Sequence, residues 1–165
     1  MRSSSRRAPM TDVASQLFPL MGAASLGLLA GALLAEDRLL VPYWRTLSAE
    51  AFYALHPTFG PMLYRFFAPL TMVAPLAAAL AMVQVTQQSG GLTLRSLAAI
   101  ATAVLAFGLV AIYFLYFKSA NEALLRRAVS ATDLPKTLAR WAAWHRARVV
   151  IVVAAFGLCL VTLIA

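Results

Sequence analysis

Four stretches of this 165-residue chain are apolar for about the length of a membrane crossing, and they constrain its fold most. They cover about residues 13–35, 62–86, 96–117 and 143–165. A helix needs about 20 apolar residues to cross a hydrocarbon layer ~30 Å thick. Because a backbone in lipid must satisfy its own hydrogen bonds, these segments must be helical. The sequence therefore predicts an all-α, integral membrane four-helix bundle, with residues 13–165 as one domain and a lipid bilayer as its surroundings.

The composition excludes several other classes of protein. Hydrophobic residues make up 62% of the chain and charged residues only 12%, unlike a soluble domain. The net charge of +8 comes from arginines spread over loops and helix ends, so no nucleic-acid partner is expected. The single cysteine, Cys159, lies deep in the last apolar segment, which argues against thiol redox chemistry.

The N-terminal region predicts a short tail and a retained first helix. Residues 1–12 are polar and are expected to form a mobile tail. The following apolar run continues to Ala35 and into polar residues, which favours an uncleaved helix over a signal peptide. Small residues at four-residue spacing predict close helix packing inside the bundle, while a homo-oligomer stays open; they are Ala23, Gly27, Gly31 and Ala35.

Two polar connections, residues 36–60 and 118–140, are expected on one side of the membrane. Residues 45–60 form an amphipathic connector after the first helix, closed by a loop at His56–Pro57. Residues 118–140 form the second connection, with a helix-entry signal at Asp133–Pro135. This side carries ten lysines and arginines and the other side four, which favours cytoplasmic loops in a bacterial inner membrane.

A cluster of polar and aromatic residues is expected where the first and fourth helices meet. Trp141, Trp144, His145 and Arg148 have the i, i+3, i+4, i+7 spacing of one helix face. Glu36 ends the first helix, where an acid is costly unless it is paired or faces a cavity. These residues are expected to converge with Asn121, which follows the third span, in one pocket.

The order of these motifs resembles a known family. The chain has Ala35-Glu36 and Val41-Pro42 after the first helix, Asn121-x-x-Leu124 after the third, and W-x-x-W-H-x-x-R over 141–148. Over about residues 15–164 this is similar to the four-helix membrane family, long labelled a domain of unknown function, that includes the anthrone oxygenases of polyketide biosynthesis. Lys118–Ala120 departs from the family pattern. The resemblance implies oxygenation of an anthrone to an anthraquinone with O2 and without a known organic cofactor.

The chemistry of that reaction assigns roles to the candidate residues. His145 is the natural base for removing a proton from an activated methylene, and Glu36 either orients it or is the base itself. Arg148 and Asn121 can hold the resulting oxyanion. Planar substrates can stack on the aromatic candidates, Trp141, Trp144, Tyr43 and Tyr113.

Other interpretations of the same residues stay open. His56, His145 and Glu36 could form a two-histidine, one-carboxylate set for iron or copper, although nothing in their spacing supports it, so no metal is predicted. A non-catalytic structural or accessory subunit is the main alternative, with the tryptophans facing lipid or a partner chain. A solute carrier is rejected because the spans offer almost no polar path.

Overall fold

The computed structural model of the protein describes residues 10–164, with side chains from residue 16 onward. Most of the predicted N-terminal tail, residues 1–9, lies outside these residues. The helical elements in chain order are α1 (Met10–Ala35), a π-helical segment π1 (Glu36–Leu40), α2 (Val41–Thr46), α3 (Ala49–Ser89), α4 (Leu94–Ile112), a second π-helical segment π2 (Tyr113–Phe117), α5 (Lys118–Leu125) and α6 (Leu134–Ile164).

These elements form four continuous rods that are long and apolar enough to cross a membrane. The rods are Gln16–Thr46, Ala49–Ser89, Leu94–Leu125 and Leu134–Ile164. The predicted all-α four-helix bundle is thereby confirmed. Even the shortest rod has 31 residues, or about 46 Å at 1.5 Å per residue, which exceeds the ~30 Å of a hydrocarbon layer. Each rod therefore has helical length to spare beyond the apolar layer.

The rods pack as a ring in which each one touches two neighbours. α1 packs against α3 and α6, and α4 packs against the same two helices, so α1 and α4 lie on a diagonal. At one end, here called the terminal end, Arg95 Nε donates a hydrogen bond to the Thr162 carbonyl at 2.8 Å. The opposite end, called the loop end, contains the connections 47–48 and 126–133.

The core divides into two clusters along the bundle. The narrow half, toward the terminal end, is built mainly from alanine and leucine; it consists of Ala23, Leu26, Leu29, Ala30, Leu33, Ala74, Ala78, Ala103, Ala106, Leu109, Val149, Val152, Ala155 and Cys159. The wide half, at the loop end, is rich in aromatic rings; it consists of Val41, Trp44, Phe52, Tyr53, Phe117, Leu124, Leu134, Leu138, Trp141 and Ala142.

The helix α3 runs through the point where a loop was expected. The amphipathic connector is present as α2 and the first turns of α3, but His56 and Pro57 lie inside the helix, so the predicted loop is wrong. Pro57 has no N–H for the carbonyl of Tyr53 one turn earlier. Arg127 supplies the missing donor, with its Nη2 at 2.7 Å from that carbonyl. A side chain from the other connection thus replaces the hydrogen bond that Pro57 cannot make.

The same tyrosine ties the second connection to α3. Its hydroxyl donates to the carbonyl of Val129 at 2.7 Å, so Tyr53 holds the 126–133 turn through both its backbone and its side chain. This connection is shorter than the sequence predicted, because helix continues to Leu125 and resumes at Leu134. The helix-entry signal at Asp133–Pro135 is confirmed.

The two π segments occupy matching places at the loop end. In π1 the N–H of Val41 bonds the carbonyl of Glu36, and in π2 the N–H of Lys118 bonds that of Tyr113. Each bond spans five residues rather than the four of an α-helix. Such single wide turns change which side chains face inward and often occur at functional sites. Both of them contribute residues to the cavity described next.

Candidate functional site

A cavity of about 550 Å³ lies in the wide half of the bundle. It is bounded by α3 on one side, by α4, π2 and α5 on the other, and by π1, α2 and α6 behind. Its polar lining residues are Glu36, His56, Tyr64, Thr71, Tyr113, Lys118, Asn121, Glu122 and Arg148. Most of the remaining wall is aromatic or aliphatic. Its volume falls within the usual range of ligand pockets in proteins.

The π1 segment turns two adjacent acids in different directions. Glu36 is 5% exposed and lines the cavity. Asp37 is also buried, but its carboxylate lies 3.6 Å from Arg38 Nε and 3.9 Å from Arg146 Nε, outside the cavity lining. Asp37 thus has cationic neighbours at the surface, whereas Glu36 lines the cavity. The sequence left Glu36 open between a surface partner of Arg38 and a site carboxylate, and its position supports the second reading.

Arg148 brings a buried positive charge to the same cavity. Its side chain is 7% exposed, and its guanidinium lies 4.7 Å from the centre of the Phe117 ring. Its Nε–H has no hydrogen-bond partner among the described residues. In the described part of the chain Arg148 also makes no ion pair with Glu36, although both line the cavity. A buried acid and a buried guanidinium therefore line one cavity without a direct ion pair between them.

His145 lies behind the cavity wall rather than in it. It is completely buried, and its Nε2 is 3.0 Å from the carbonyl of Leu33. Because a carbonyl only accepts, Nε2 must carry the proton and donate. The other ring nitrogen, Nδ1, is then unprotonated in the neutral ring and lies 3.8 Å from Glu36 Oε2, too far for a hydrogen bond. His145 is thus adjacent to the acid but is not among the lining residues.

Trp141 separates His145 from the cavity and is held on three sides. Its ring stacks on that of His145, with centres 5.0 Å apart and planes at 13°. The edges of Trp44 and Phe117 approach it at 5.7 and 5.2 Å. Its Nε1–H donates to Asn121 Oδ1 at 2.9 Å, and the amide NH2 of Asn121 has no hydrogen-bond partner among the described residues. The tryptophan is therefore a fixed part of the cavity wall.

Two of the predicted aromatic contacts lie elsewhere. Trp144 is 37% exposed and stacks on Tyr116, and Tyr43 is 53% exposed; neither lines the cavity. At 100° per residue around the helix axis, Trp144 is rotated by about 60° from Trp141, whereas Arg148 is rotated from Trp141 by only about 20°. The spacing predicted that all four residues share one face, but of the four only Trp141 and Arg148 line the cavity. Tyr113, by contrast, lines the cavity beside Tyr64, at 6.4 Å between ring centres.

The alternative metal set is not assembled. His56 lines the cavity with Glu36, but His145 is behind the wall. Among the described residues no group of three or more histidine, cysteine, aspartate or glutamate side chains could hold a metal ion. The arrangement therefore offers an acid and a cation to a ligand rather than a ligand cage to a metal.

Several lining residues were not identified from the sequence as site residues. His56, which the sequence suggested only for the alternative metal set, lines the cavity because α3 is continuous, and its ring stacks on Phe52 at 4.9 Å. Tyr64, Lys118 and Glu122 line the cavity toward its outer edge. Their signal in the sequence is weak, since each reads as an ordinary residue near a helix end. Comparison of the chain with family models, with curated proteins and with solved structures finds no match.

Proposed function

We propose that this protein is a membrane-embedded oxygenase-like enzyme that acts with O2 on a hydrophobic, aromatic phenolic substrate of the anthrone type. The observation that carries the proposal is that a buried acid, Glu36, and a buried guanidinium, Arg148, line one aromatic cavity without a direct ion pair between them. Keeping an acid and a cation apart in an apolar interior is costly. A purely structural subunit gains nothing from this cost. A substrate that gives up a proton to one group and develops negative charge beside the other would use both groups.

The reaction follows from these two groups. Glu36 removes a proton from the activated methylene carbon, and Arg148 holds the negative charge that moves to the substrate oxygen. The carbanion transfers electrons to O2 and forms a carbon–oxygen bond, giving a hydroperoxide once a proton is returned. Loss of the second methylene proton and of hydroxide from the peroxide forms the new ketone. One substrate and one O2 thus yield one quinone and one water, with no other reductant or oxidant.

Within this proposal Glu36, not His145, is the base, because only Glu36 lines the cavity. His145 acts as a positioning residue and proton reservoir. A shift of less than ~1 Å would bring its unprotonated Nδ1 into hydrogen-bond range of Glu36, where it can accept the proton that the carboxylate has taken. Trp141 and Tyr113 hold the planar substrate, and the unused amide NH2 of Asn121 assists Arg148.

The proposed location is a bacterial inner membrane with the loop end on the cytoplasmic side. The support is the excess of lysine and arginine at that end. Fusion of a reporter that is active only in the cytoplasm to residue 130, in the second connection, tests the orientation. Activity of the reporter is expected, and its absence would reverse the orientation.

The test of the function is turnover of anthrone by purified protein, measured as O2 uptake and as formation of anthraquinone. Glu36→Gln should lower kcat at least ~100-fold, because the amide keeps the shape but cannot take a proton. Arg148→Lys should lower it at least ~10-fold, since a point charge does not replace a planar fork. His145→Gln should cost less than Glu36→Gln.

Asp37→Asn is the matched control, since it removes the same charge from the next residue of π1, outside the cavity. Its turnover should stay within a few-fold of wild type when protein amounts are matched by folded fraction. If wild type shows no turnover above heat-denatured protein, or if Glu36→Gln is as active as wild type, the proposed mechanism is wrong.

A further inference from the structure

The cavity is much longer than an aromatic head group. Its lining on α3 runs from Phe52 to Met72, which at 1.5 Å per residue is about 30 Å along the helix. A planar three-ring system covers less than half of that length. Either a further part of the ligand fills the remaining length of the cavity, or that length stays empty.

One end of the cavity is an apolar extension of the charged part. Beyond the Tyr64–Tyr113 pair it continues for about 12 Å along α3, toward the middle of the bundle. We call this extension the apolar arm; it is lined by Phe67, Ala68, Thr71, Met72 and Val110. Thr71 is its one polar residue. The charged groups lie on the other side of the tyrosine pair, with Arg148 at the level of Phe117, about one turn from Tyr113.

The outer side chains of this region link the cavity with the lipid-facing surface. Tyr64, Met72 and Phe114 line the cavity yet are 53–62% exposed, so each reaches both spaces. Exposed apolar side chains lie beside them on the same helices, among them Phe66, Val73 and Leu115, while Arg65 is the exposed charged neighbour of Tyr64. Such a surface fits lipid rather than water. A ligand dissolved in the membrane can therefore enter between α3 and the α4–π2 rod without crossing the polar loop end.

We infer that the substrate is a lipid-like phenol, with an aromatic head between Glu36 and Arg148 and a hydrocarbon chain in the apolar arm. This inference rests on the proposed function, because it takes the charged part of the cavity as the site of a phenolic head. To the proposed function it adds a hydrocarbon chain on the substrate and a lateral route by which the substrate enters from the membrane. In the apolar arm the hydrocarbon chain of the substrate exchanges contacts with lipid for contacts with protein. Its role is therefore to select and align the substrate.

The experiment measures binding of two tritiated probes, 4-methylphenol and 4-nonylphenol, to purified protein by scintillation proximity. Ala68→Phe fills the arm and should weaken binding of 4-nonylphenol at least tenfold while changing that of 4-methylphenol less than twofold. Val73→Phe places the same ring on the lipid-facing side of the same helix and should leave both affinities within twofold. Ala68→Ile serves as a milder variant of the same kind if the phenylalanine variant is not monodisperse.

The outcomes separate this inference from the function on which it rests. Equal effects of Ala68→Phe on both probes, or no effect on 4-nonylphenol, would overturn the arm assignment. If 4-methylphenol still binds and loses affinity in Arg148→Lys, the charged site stands and only the arm is wrong. If neither probe binds wild type, the phenol site and the inference built on it both fail.

Discussion

The two halves of the bundle are built from the same four rods but differ in how their side chains pack. In the narrow half small side chains let the helices approach closely, and none of the buried cluster members described there is aromatic. In the wide half large aromatic rings pack around a cavity. Both π segments, Glu36 and Arg148 belong to the wide half. The comparison indicates that close packing in one half gives the stability that lets the other half remain hollow.

The largest expected effect comes from placing one large ring in each half on the same helix. Ala78 is completely buried in the narrow half, whereas Ala68 borders the cavity. Ala78→Phe should lower the free energy of unfolding by about 3 kcal/mol because a close-packed site cannot accept the ring. Ala68→Phe should cost less than about 1 kcal/mol, since the space is already present. Melting temperatures in detergent check both values, and equal losses would break the comparison.

A second prediction separates the inner tryptophan from the outer one. Trp141→Leu should weaken binding of 4-methylphenol about tenfold, a loss of about 1.4 kcal/mol, because it removes the wall that Asn121 holds. Trp144→Leu should change it less than twofold, since that ring packs outside the cavity. A larger loss in Trp144→Leu would show that the original four-residue face, not the cavity, is the binding surface.

The smallest expected effect tests the contact of two rods in the narrow half. A Cβ at Gly27 would lie 3.0 Å from Cε2 of Phe156, which is the far end of a side chain that can turn. Gly27→Ala should therefore destabilise by less than about 1 kcal/mol, because the alanine's better helix propensity offsets part of the clash. Gly31→Ala, where no atom lies within 4 Å, is the control and should be neutral or slightly stabilising. Phenol binding should be unchanged in both variants, and its loss would show that the halves are not independent.

The fold could be predicted because hydrophobic length is a direct consequence of the membrane environment. Each of the four apolar stretches became part of one rod. What the apolar pattern could not give was the length of the helices at the loop end, where they leave the apolar layer and carry charges. His56 illustrates this limit, because the proline that follows it suggested a loop. Arg127, 71 positions after His56, replaces the hydrogen bond that this proline cannot make.

The candidate site was predictable in part for a similar reason. Glu36, Asn121, Trp141 and Arg148 meet at one cavity because all four lie toward the loop end of the bundle. Helical spacing gives a direction for each side chain but not its depth, so it could not place His145 behind Trp141. The spacing of residues in the sequence also does not predict the π turns, because these depend on how the rods pack together.

The π turns make the cavity sensitive to insertions and deletions as well as to substitutions. A turn with one extra residue can be converted to an ordinary α-helical turn by deleting a single residue. Such a deletion in Glu36–Leu40 would rotate α2 by about 100° relative to α1, so that Glu36 and Trp44 could no longer face the same space. Chain length in these two five-residue segments is therefore expected to be under stricter selection than the identity of most residues within them.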